Sequence, residues 1–313
     1  MDKKLESRLK KQHYYLAGNH SAVKICTWTK KSLKDEGACY KEKFYGIKSH
    51  RCCQMTPSFM CDLECIFCWR NMEAHTGIKM EGRIDEPHEI IDKCVEGQRK
   101  LLNGFPGNEK INIKKFREAQ NPNQWAISLT GEPTIYPKLN ELIKLLKKRR
   151  DSVFVVSNGM FPERLKNIEP PTNLYLSLDA PNKELFEKID KPTQKNAWQK
   201  LNKSLEILKE LKKKTTTVIR ITLIKGMNDT DIKGYAPLIK KAEPNFVEVK
   251  SFMFVGSARL RLSMANMCRH EYVKEFAKKL SNISGYEIKD ESVESRVCLL
   301  KRAKGEILRR LYE

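Results

Sequence analysis

The run Met60-Cys61-Asp62-Leu63-Glu64-Cys65-Ile66-Phe67-Cys68-Trp69 places three cysteines at the spacing C-x₃-C-x₂-C. Iron–sulfur clusters are held by cysteine thiolates at short spacings, and three ligands leave one iron of a four-iron cluster open to another molecule. Two other interpretations are a zinc site and a buried helical stripe, because positions i, i+4 and i+7 share a helix face. No fourth Cys or His follows directly, and Asp62 and Glu64 favour a loop. The spacing therefore indicates a cluster with an open iron.

Downstream of this loop, apolar runs alternate with helical patterns. Such alternation is typical of parallel strands with helices packed outside. With one further strand just before Cys61, the pattern gives about six βα units, too few for a closed eight-unit barrel. We predict an α/β fold, an open partial (β/α)6 barrel whose ligands lie at the carboxyl ends of the strands. The predicted strands are 125–130, 153–157, 174–179, 218–223 and 246–254, and the helices are 137–149, 195–213, 231–242 and 270–280.

Three parts are predicted for the chain of 313 residues. Residues 1–58 form an N-terminal extension, a short basic helix over 3–17 followed by an irregular cysteine-containing stretch. Residues 59–281 form the partial barrel, and residues 282–313 form a C-terminal extension packed on it. Within the barrel, Pro87 is expected to begin a helix that ends at Asn103-Gly104 and that buries Cys94.

The charge of the chain indicates a polyanionic partner. Sixty Lys and Arg against 39 Asp and Glu give a formal net charge of +21, spread over many segments. RNA or DNA is the partner that such a surface favours, ahead of a merely solubilising lysine-rich surface or an acidic membrane. The charged N-terminus and the lack of a run of roughly 18 apolar residues predict a cytoplasmic protein. In that compartment ten cysteines indicate metal binding rather than disulfides.

The first cysteine motif, with an aromatic residue before its third cysteine, resembles the signature of the radical S-adenosylmethionine (SAM) superfamily. This resemblance implies that Cys61, Cys65 and Cys68 hold a [4Fe–4S] cluster whose open iron binds SAM. Thr130-Gly131-Glu132-Pro133 resembles the superfamily's Gly-Glu-Pro element, and polar residues end the next strands. The cofactor-binding residues that the resemblance implies are Thr130, Gly131, Glu132, Ser157, Asn158, Ser177 and Arg220.

A second set of cysteines lies upstream. Cys26, Cys39 and Cys52 are separated by twelve residues each, and Cys53 adjoins the last of them. Wide spacing fits ligands that folding brings together. The spacing alone leaves open a metal site, three ordinary buried thiols, or a zinc site completed by Cys53, His20 or His50.

The run 39–47, Cys-Tyr-Lys-Glu-Lys-Phe-Tyr-Gly-Ile, together with the spaced cysteines resembles the archaeal wyosine synthases of tRNA modification. The resemblance implies a radical-SAM lyase that condenses N1-methylguanosine, beside the anticodon of tRNA-Phe, with pyruvate to form 4-demethylwyosine. It also implies a second [4Fe–4S] cluster on Cys26, Cys39 and Cys52. A nearby lysine would capture pyruvate as a Schiff base, with Lys41 favoured over Lys43.

The remaining expectations concern partners and rival functions. A separate electron-donor protein is expected, because nothing in this sequence resembles the flavin-binding domain of the eukaryotic relatives, and the enzyme is expected to be a monomer. Arg259, Arg261 and Arg269 are candidate RNA contacts. The alternatives are a methylthiolating two-cluster radical enzyme and a non-enzymatic metal-containing nucleic-acid-binding module.

Overall fold

A computed structural model describes residues 3–70 and 76–302 of the chain. The described residues divide into two compact units. Unit 1 contains residues up to 60 and residues 78–155, and unit 2 contains the segment 61–77 and the residues from 156 onward. Within the described residues, no helix is both long and apolar enough to cross a bilayer.

Unit 1 is built on three parallel strands. β3 pairs with β4 and β4 with β5, and β2 joins the other side of β3 in antiparallel direction. Its helices bury one apolar face; α6, for example, buries Leu139, Leu142, Ile143 and Leu146. The strands are β1 (Tyr15–Leu16), β2 (Ala22–Val23), β3 (Cys52–Thr56), β4 (Gln124–Ile127) and β5 (Ser152–Ser157, which ends in unit 2). The α-helices are α1 (Lys3–Lys11), α2 (Thr27–Leu33), α3 (Tyr40–Tyr45), α4 (Pro87–Leu102), α5 (Ile113–Ala119) and α6 (Leu139–Lys148).

Unit 2 also has three parallel strands, to which a hairpin is added. β6 pairs with β7 and β7 with β8, while β10 pairs antiparallel with β8 and β9 with β10. The strands are β6 (Asn173–Ser177), β7 (Thr216–Leu223), β8 (Phe246–Ser251), β9 (Tyr286–Ser292) and β10 (Val297–Arg302). The α-helices are α7 (Pro162–Lys166), α8 (Lys183–Ile189), α9 (Ala197–Leu211), α10 (Ile232–Ala242) and α11 (His270–Ser284).

The regular part of the sequence prediction agrees with the structure. Every predicted strand and helix downstream of residue 124 is present, with ends that differ by a few residues, and β3 is the strand expected before Cys61. Pro87 occupies the first turn of α4, Asn103 caps its end, and Cys94 is buried.

The N-terminal extension is less irregular than predicted. Its basic helix ends at Lys11 rather than near residue 17, and the cysteine-containing stretch holds α2, α3, β2 and β3. The two helices have only seven and six residues, which is too short for a helical period to be recognised. In the C-terminal extension, β9 and β10 are described and residues 303–313 lie outside the described part. The predicted domain boundaries after residues 58 and 281 stay a prediction.

Candidate active site

In unit 2, the loop with Cys61, Cys65 and Cys68 is fixed by its own backbone. The Ile66 N–H donates to the Ile189 carbonyl at 2.9 Å, and the Glu64 N–H donates to the Asp190 carbonyl at 3.1 Å. Further along, the Cys68 N–H donates to the Cys65 carbonyl at 3.0 Å. The loop is therefore not a buried helical stripe, and it presents its three sulfurs from a rigid backbone.

The thiol of Cys65 lies against the buried carboxyl group of Asp190. Its Sγ donates to Asp190 Oδ1 at 3.4 Å. Burial raises the pKa of Cys65 well above its ordinary value, and the charges of Asp190 and of the other two cysteines raise it further. Burial also raises the pKa of Asp190, with Asp179 as a second cause. A bound iron cation would instead lower the pKa of Cys65, because it stabilises the thiolate directly.

Arg70 brings a buried positive charge to the three cysteines. Burial by itself lowers the pKa of this guanidinium, but the charges of the three cysteines outweigh that effect and raise it. Its Nη2 donates to the Leu63 carbonyl at 2.5 Å, whereas Nη1 is buried and has no hydrogen-bond partner among the described residues. A [4Fe–4S] cluster counted together with its three thiolate ligands carries a net negative charge, and such a group fits this arrangement.

The zinc interpretation finds no support in the geometry. Among residues 3–70 and 76–302, the one group of three His, Cys or acidic ligand atoms within 4.8 Å of one another is His270, Glu291 and Cys298. There Glu291 is already paired with His270 and Lys274. Neither predicted cysteine trio closes in that compact way around a single ion.

In unit 1, three separate elements bring the second cysteine set together. Cys26 precedes α2, Cys39 precedes α3, and Cys52 begins β3. Burial raises the pKa of Cys52, the charges of Cys26 and Cys39 raise it further, and Lys41 acts in the opposite direction. Cys26, Cys39 and Lys41 therefore lie close enough to Cys52 to influence its thiol, although 26 positions separate Cys26 from Cys52.

The two candidate lysines have different surroundings. Lys41 is buried, and its Nζ lies 4.8 Å from the centre of the Phe154 ring. Lys43, two positions further along α3, is exposed. Only Lys41 is among the groups that shift the pKa of Cys52.

Of the three residues considered to complete a zinc site, Cys53 and His20 are engaged elsewhere, and His50 uses one ring nitrogen while its Nδ1 is buried without a hydrogen-bond partner among the described residues. Successive strand residues point to opposite faces, and the Cys53 thiol is buried in a hydrogen bond with Cys94. His20 uses both ring nitrogens, Nδ1 with the Pro57 carbonyl at 2.7 Å and Nε2 with the Asp85 N–H at 2.8 Å. His50 Nε2 pairs with Glu118 at 2.7 Å.

The Gly-Glu-Pro element of unit 1 follows β4 and lies against the chain that follows β3. Gly131 has φ +69°, and a Cβ there would lie 2.0 Å from the Ser58 carbonyl oxygen, so only glycine fits. The Glu132 N–H donates to the Met60 carbonyl at 2.7 Å. Its carboxylate is buried and accepts from the Thr134 N–H at 3.0 Å and from the Thr134 hydroxyl at 2.5 Å. Thr130 Oγ1 is buried without a hydrogen-bond partner among the described residues.

The cofactor-binding residues predicted in unit 2 form two groups. Asn158 Nδ2 donates to Asp62 Oδ1 at 2.8 Å and lies 3.8 Å from Cys61 Sγ, so it contacts the first cysteine directly. Its neighbour Ser157 accepts from the Gly159 N–H at 3.1 Å.

The second group is a row across three strands. Ser177 is opposite Arg220, which is opposite Glu248. The Arg220 guanidinium donates to Glu248 Oε2 at 2.9 Å, and the Tyr175 hydroxyl donates to Glu248 Oε1 at 2.9 Å.

Sequence reasoning missed the residues that support these groups. Asp62, Arg70, Asp190 and Glu248 are all buried charged residues in contact with a predicted site residue. Asp62 lies within the cysteine motif and Arg70 lies two residues after it, so their position in the sequence could have indicated them. Asp190 and Glu248 reach the site only through the fold, from positions that no motif marks.

Comparison with known families and structures supports the predicted resemblance. The family model of the radical SAM superfamily matches residues 55–238, and that of wyosine base formation matches residues 241–302. The S-adenosyl-L-methionine-dependent tRNA 4-demethylwyosine synthase of Pyrococcus horikoshii is 45% identical over 308 residues, 96% of this chain and 90% of that protein. The human enzyme of the same name is 39% identical over 305 residues, 97% of this chain and 41% of that protein.

Two solved structures share the fold. The structure of TYW1 with a lysine–pyruvate adduct bound matches with a TM-score of 0.87 at 39% identity, covering 96% of each chain. The crystal structure of archaeal TYW1 matches with a TM-score of 0.80 at 36% identity, covering 98% of each chain. These matches confirm the predicted fold class, the open partial (β/α)6 barrel of radical-SAM enzymes.

Proposed function

Because the chain belongs to the family of S-adenosyl-L-methionine-dependent tRNA 4-demethylwyosine synthases, within the radical SAM superfamily, we propose that it makes 4-demethylwyosine in tRNA. Its substrates are pyruvate and the N1-methylguanosine beside the anticodon of tRNA-Phe, and the reaction is of the lyase class. One observation supports this function above the others: a buried lysine, Lys41, lies within electrostatic reach of Cys52, as do Cys26 and Cys39.

The cofactors of the superfamily, SAM and a [4Fe–4S] cluster, fit the loop of unit 2. Cys61, Cys65 and Cys68 would hold the cluster, with Arg70 balancing its charge. We further propose a second [4Fe–4S] cluster on Cys26, Cys39 and Cys52. When bound and reduced, the first cluster with SAM would supply the 5′-deoxyadenosyl radical needed to remove hydrogen from the N1-methyl group.

In unit 1, the predicted SAM-binding residues are Thr130, Gly131 and Glu132. Gly131 permits close approach of the backbone, and Thr130 Oγ1 is a buried hydroxyl that lacks a partner among the described residues. The buried carboxylate of Glu132 holds the turn, so this residue would act through its backbone. In unit 2, the predicted SAM-binding residues are polar side chains at strand ends, namely Ser157, Asn158, Ser177 and Arg220.

Lys41 is the residue that would capture pyruvate. Its deprotonated amine would attack the keto carbon, a C=N bond would form, and the keto oxygen would leave as water. The covalent link would hold pyruvate in one orientation while its C2 forms a bond to the N1-methyl carbon. The bond from C2 to the carboxyl carbon would then break, and the carboxyl group would leave with the unpaired electron and be reduced to formate by the reductant. The exocyclic amine of the guanine would displace Lys41 from C2, which closes the third ring and frees the lysine. The ring of Phe154 excludes water from one side of this amine.

The proposal also covers the location, the oligomeric state and the partners of the enzyme. We expect a cytoplasmic monomer that receives electrons from a separate donor protein. Its positive charge would bind the phosphates of the tRNA stem and would make affinity fall as salt rises.

An anaerobic assay tests this function. The reconstituted protein is incubated with dithionite, SAM, pyruvate and tRNA-Phe that contains N1-methylguanosine, and the nucleosides are analysed by mass spectrometry. The tricyclic base and 5′-deoxyadenosine are expected, and the base should disappear when pyruvate is left out. Insertion of sulfur without a third ring, or no cleavage of SAM, would refute the proposal.

A further inference from the structure

Four large apolar side chains of unit 2 are exposed in two segments that touch each other. They are Trp69, Met253, Leu260 and Met264, which are exposed by 43%, 40%, 84% and 57%. We call these four the apolar rim. Their neighbours in the same segments, among them Phe252, Ala258 and Ile66, pack into a buried cluster, so the segments have a core-facing side and an outward side. Exposed apolar side chains on two segments that contact each other indicate a candidate binding surface.

Hydrogen bonds and a close backbone contact join the apolar rim to the first cysteine loop. The Ser257 N–H donates to the Trp69 carbonyl at 2.9 Å, and a Cβ on Gly256, which has φ +57°, would lie 2.4 Å from that carbonyl oxygen. The Arg261 guanidinium donates to the carbonyls of Ile66 at 3.0 Å and Cys68 at 2.5 Å. Arg261 is therefore a clamp on the loop rather than the free RNA contact that the sequence suggested. The rim stands directly beside the proposed site of radical formation.

The charge around the rim suits a polyanion. Residues 253–269 contain no acidic residue and, besides Arg261, the two arginines Arg259 and Arg269. From Met264 a cavity of about 960 Å³ continues, lined by the cations Lys225, Arg269 and Arg296 and by the acids Glu271 and Glu275. Exposed apolar and aromatic faces among cations are what unpaired bases on a phosphate backbone require, since every base has a face that can stack.

We infer that the apolar rim binds unstacked bases of the RNA loop that carries the reacting guanine. The inference rests on the proposed function for the identity of the RNA. Trp69 supplies a plane for one base beside the cysteine loop, and Leu260 and the two methionines contact further bases without selecting their sequence. The rim thereby distinguishes a single-stranded loop from a duplex, whereas the general positive charge binds both.

Binding of two RNA probes to the anaerobically reconstituted enzyme tests the inference. The probes are a hairpin with the anticodon stem and loop, and a blunt duplex of the stem sequence alone. Trp69→Ala should weaken hairpin binding about tenfold, or about 1.4 kcal/mol, and Trp69→Phe should retain most of the affinity. Leu260→Ser should weaken it about threefold. Duplex binding should change less than hairpin binding in each variant.

A matched control and a second variant keep the test decisive. Ile113→Ser removes an apolar side chain of unit 1 that is exposed to a similar degree, 46%, and should leave both affinities unchanged. Iron content is compared throughout, because Trp69 adjoins Cys68; Leu260 adjoins no proposed ligand and gives an independent answer. Equal losses for hairpin and duplex, or no loss in Trp69→Ala and Leu260→Ser, would overturn the inference.

A change of sedimentation without a change of hairpin affinity would overturn it too, in favour of an interface between two copies of the chain. Product formation by the parent enzyme is scored separately. Failure of the proposed function would therefore appear in the parent, and failure of the rim only in the variants.

Discussion

The two cysteine trios differ in how the chain holds them. The first lies in one loop of unit 2, and backbone hydrogen bonds to residues 189 and 190 fix that loop. The second is assembled in unit 1 from the starts of two short helices and one strand. A site of the first kind is organised by local sequence, whereas a site of the second kind depends on the fold and on whatever joins its elements.

Because the two trios are held separately, we expect them to have separate functions, and substitutions in them should give the largest effects. Cys65→Ala should remove about four irons and reduce SAM cleavage to background, because an open iron of the first cluster binds SAM. Cys39→Ala should also remove about four irons but leave SAM cleavage, while formation of the tricyclic base stops. Iron analysis and quantification of 5′-deoxyadenosine measure both. Loss of cleavage in both variants would show that the trios do not act separately.

Lys41 provides the next test, within the second trio. Lys41→Ala should abolish the tricyclic base without stopping production of 5′-deoxyadenosine, because pyruvate is no longer captured. Lys43→Ala is the matched control, since this lysine is exposed on the same helix and should retain most of the product. Borohydride should reduce a pyruvate adduct on Lys41, and a stable adduct on Lys43 would reverse the assignment.

Removal of iron should increase the mobility of the backbone around the second trio more than that of the first cysteine loop. Helices of seven and six residues are not stable alone in water, so α2 and α3 depend on packing and would depend on the proposed second cluster. Amide hydrogen exchange over residues 27–45 should therefore accelerate by about tenfold or more in the apoprotein. Exchange at residues 64, 66 and 68 should accelerate less, because their amides bond to backbone carbonyls. Equal acceleration in both regions would remove the distinction.

The same difference explains what the sequence could predict. Cys61, Cys65 and Cys68 were recognisable because eight consecutive residues contain the whole motif, and the strands after residue 124 were recognisable from their alternation with helices. The spacing of Cys26, Cys39 and Cys52 left open a metal site and ordinary buried thiols, and only the family resemblance favoured a cluster. The helices between them are too short to show a period.

Long-range contacts were beyond sequence reasoning for a physical reason. Asp190 reaches Cys65 across 125 positions, and Glu248 reaches Arg220 across 28. A buried charge has no local pattern, because its partner is chosen by the packing of distant elements. Arg261 shows the reverse error: an arginine that the sequence suggested for RNA is used inside the protein.

The smallest expected effect concerns the adjacent cysteines Cys52 and Cys53, and it tests which of the two belongs to the second trio. Cys53 faces the core and hydrogen-bonds with Cys94, so Cys53→Ala should cost about 1 kcal/mol of unfolding free energy through a small cavity. Iron content and product yield should stay at the parent level. Cys52→Ala should instead lose about four irons, although it removes the same atom one position away. Thermal unfolding and iron analysis on the two variants decide the matter, and loss of iron in Cys53→Ala would move the third ligand to that residue.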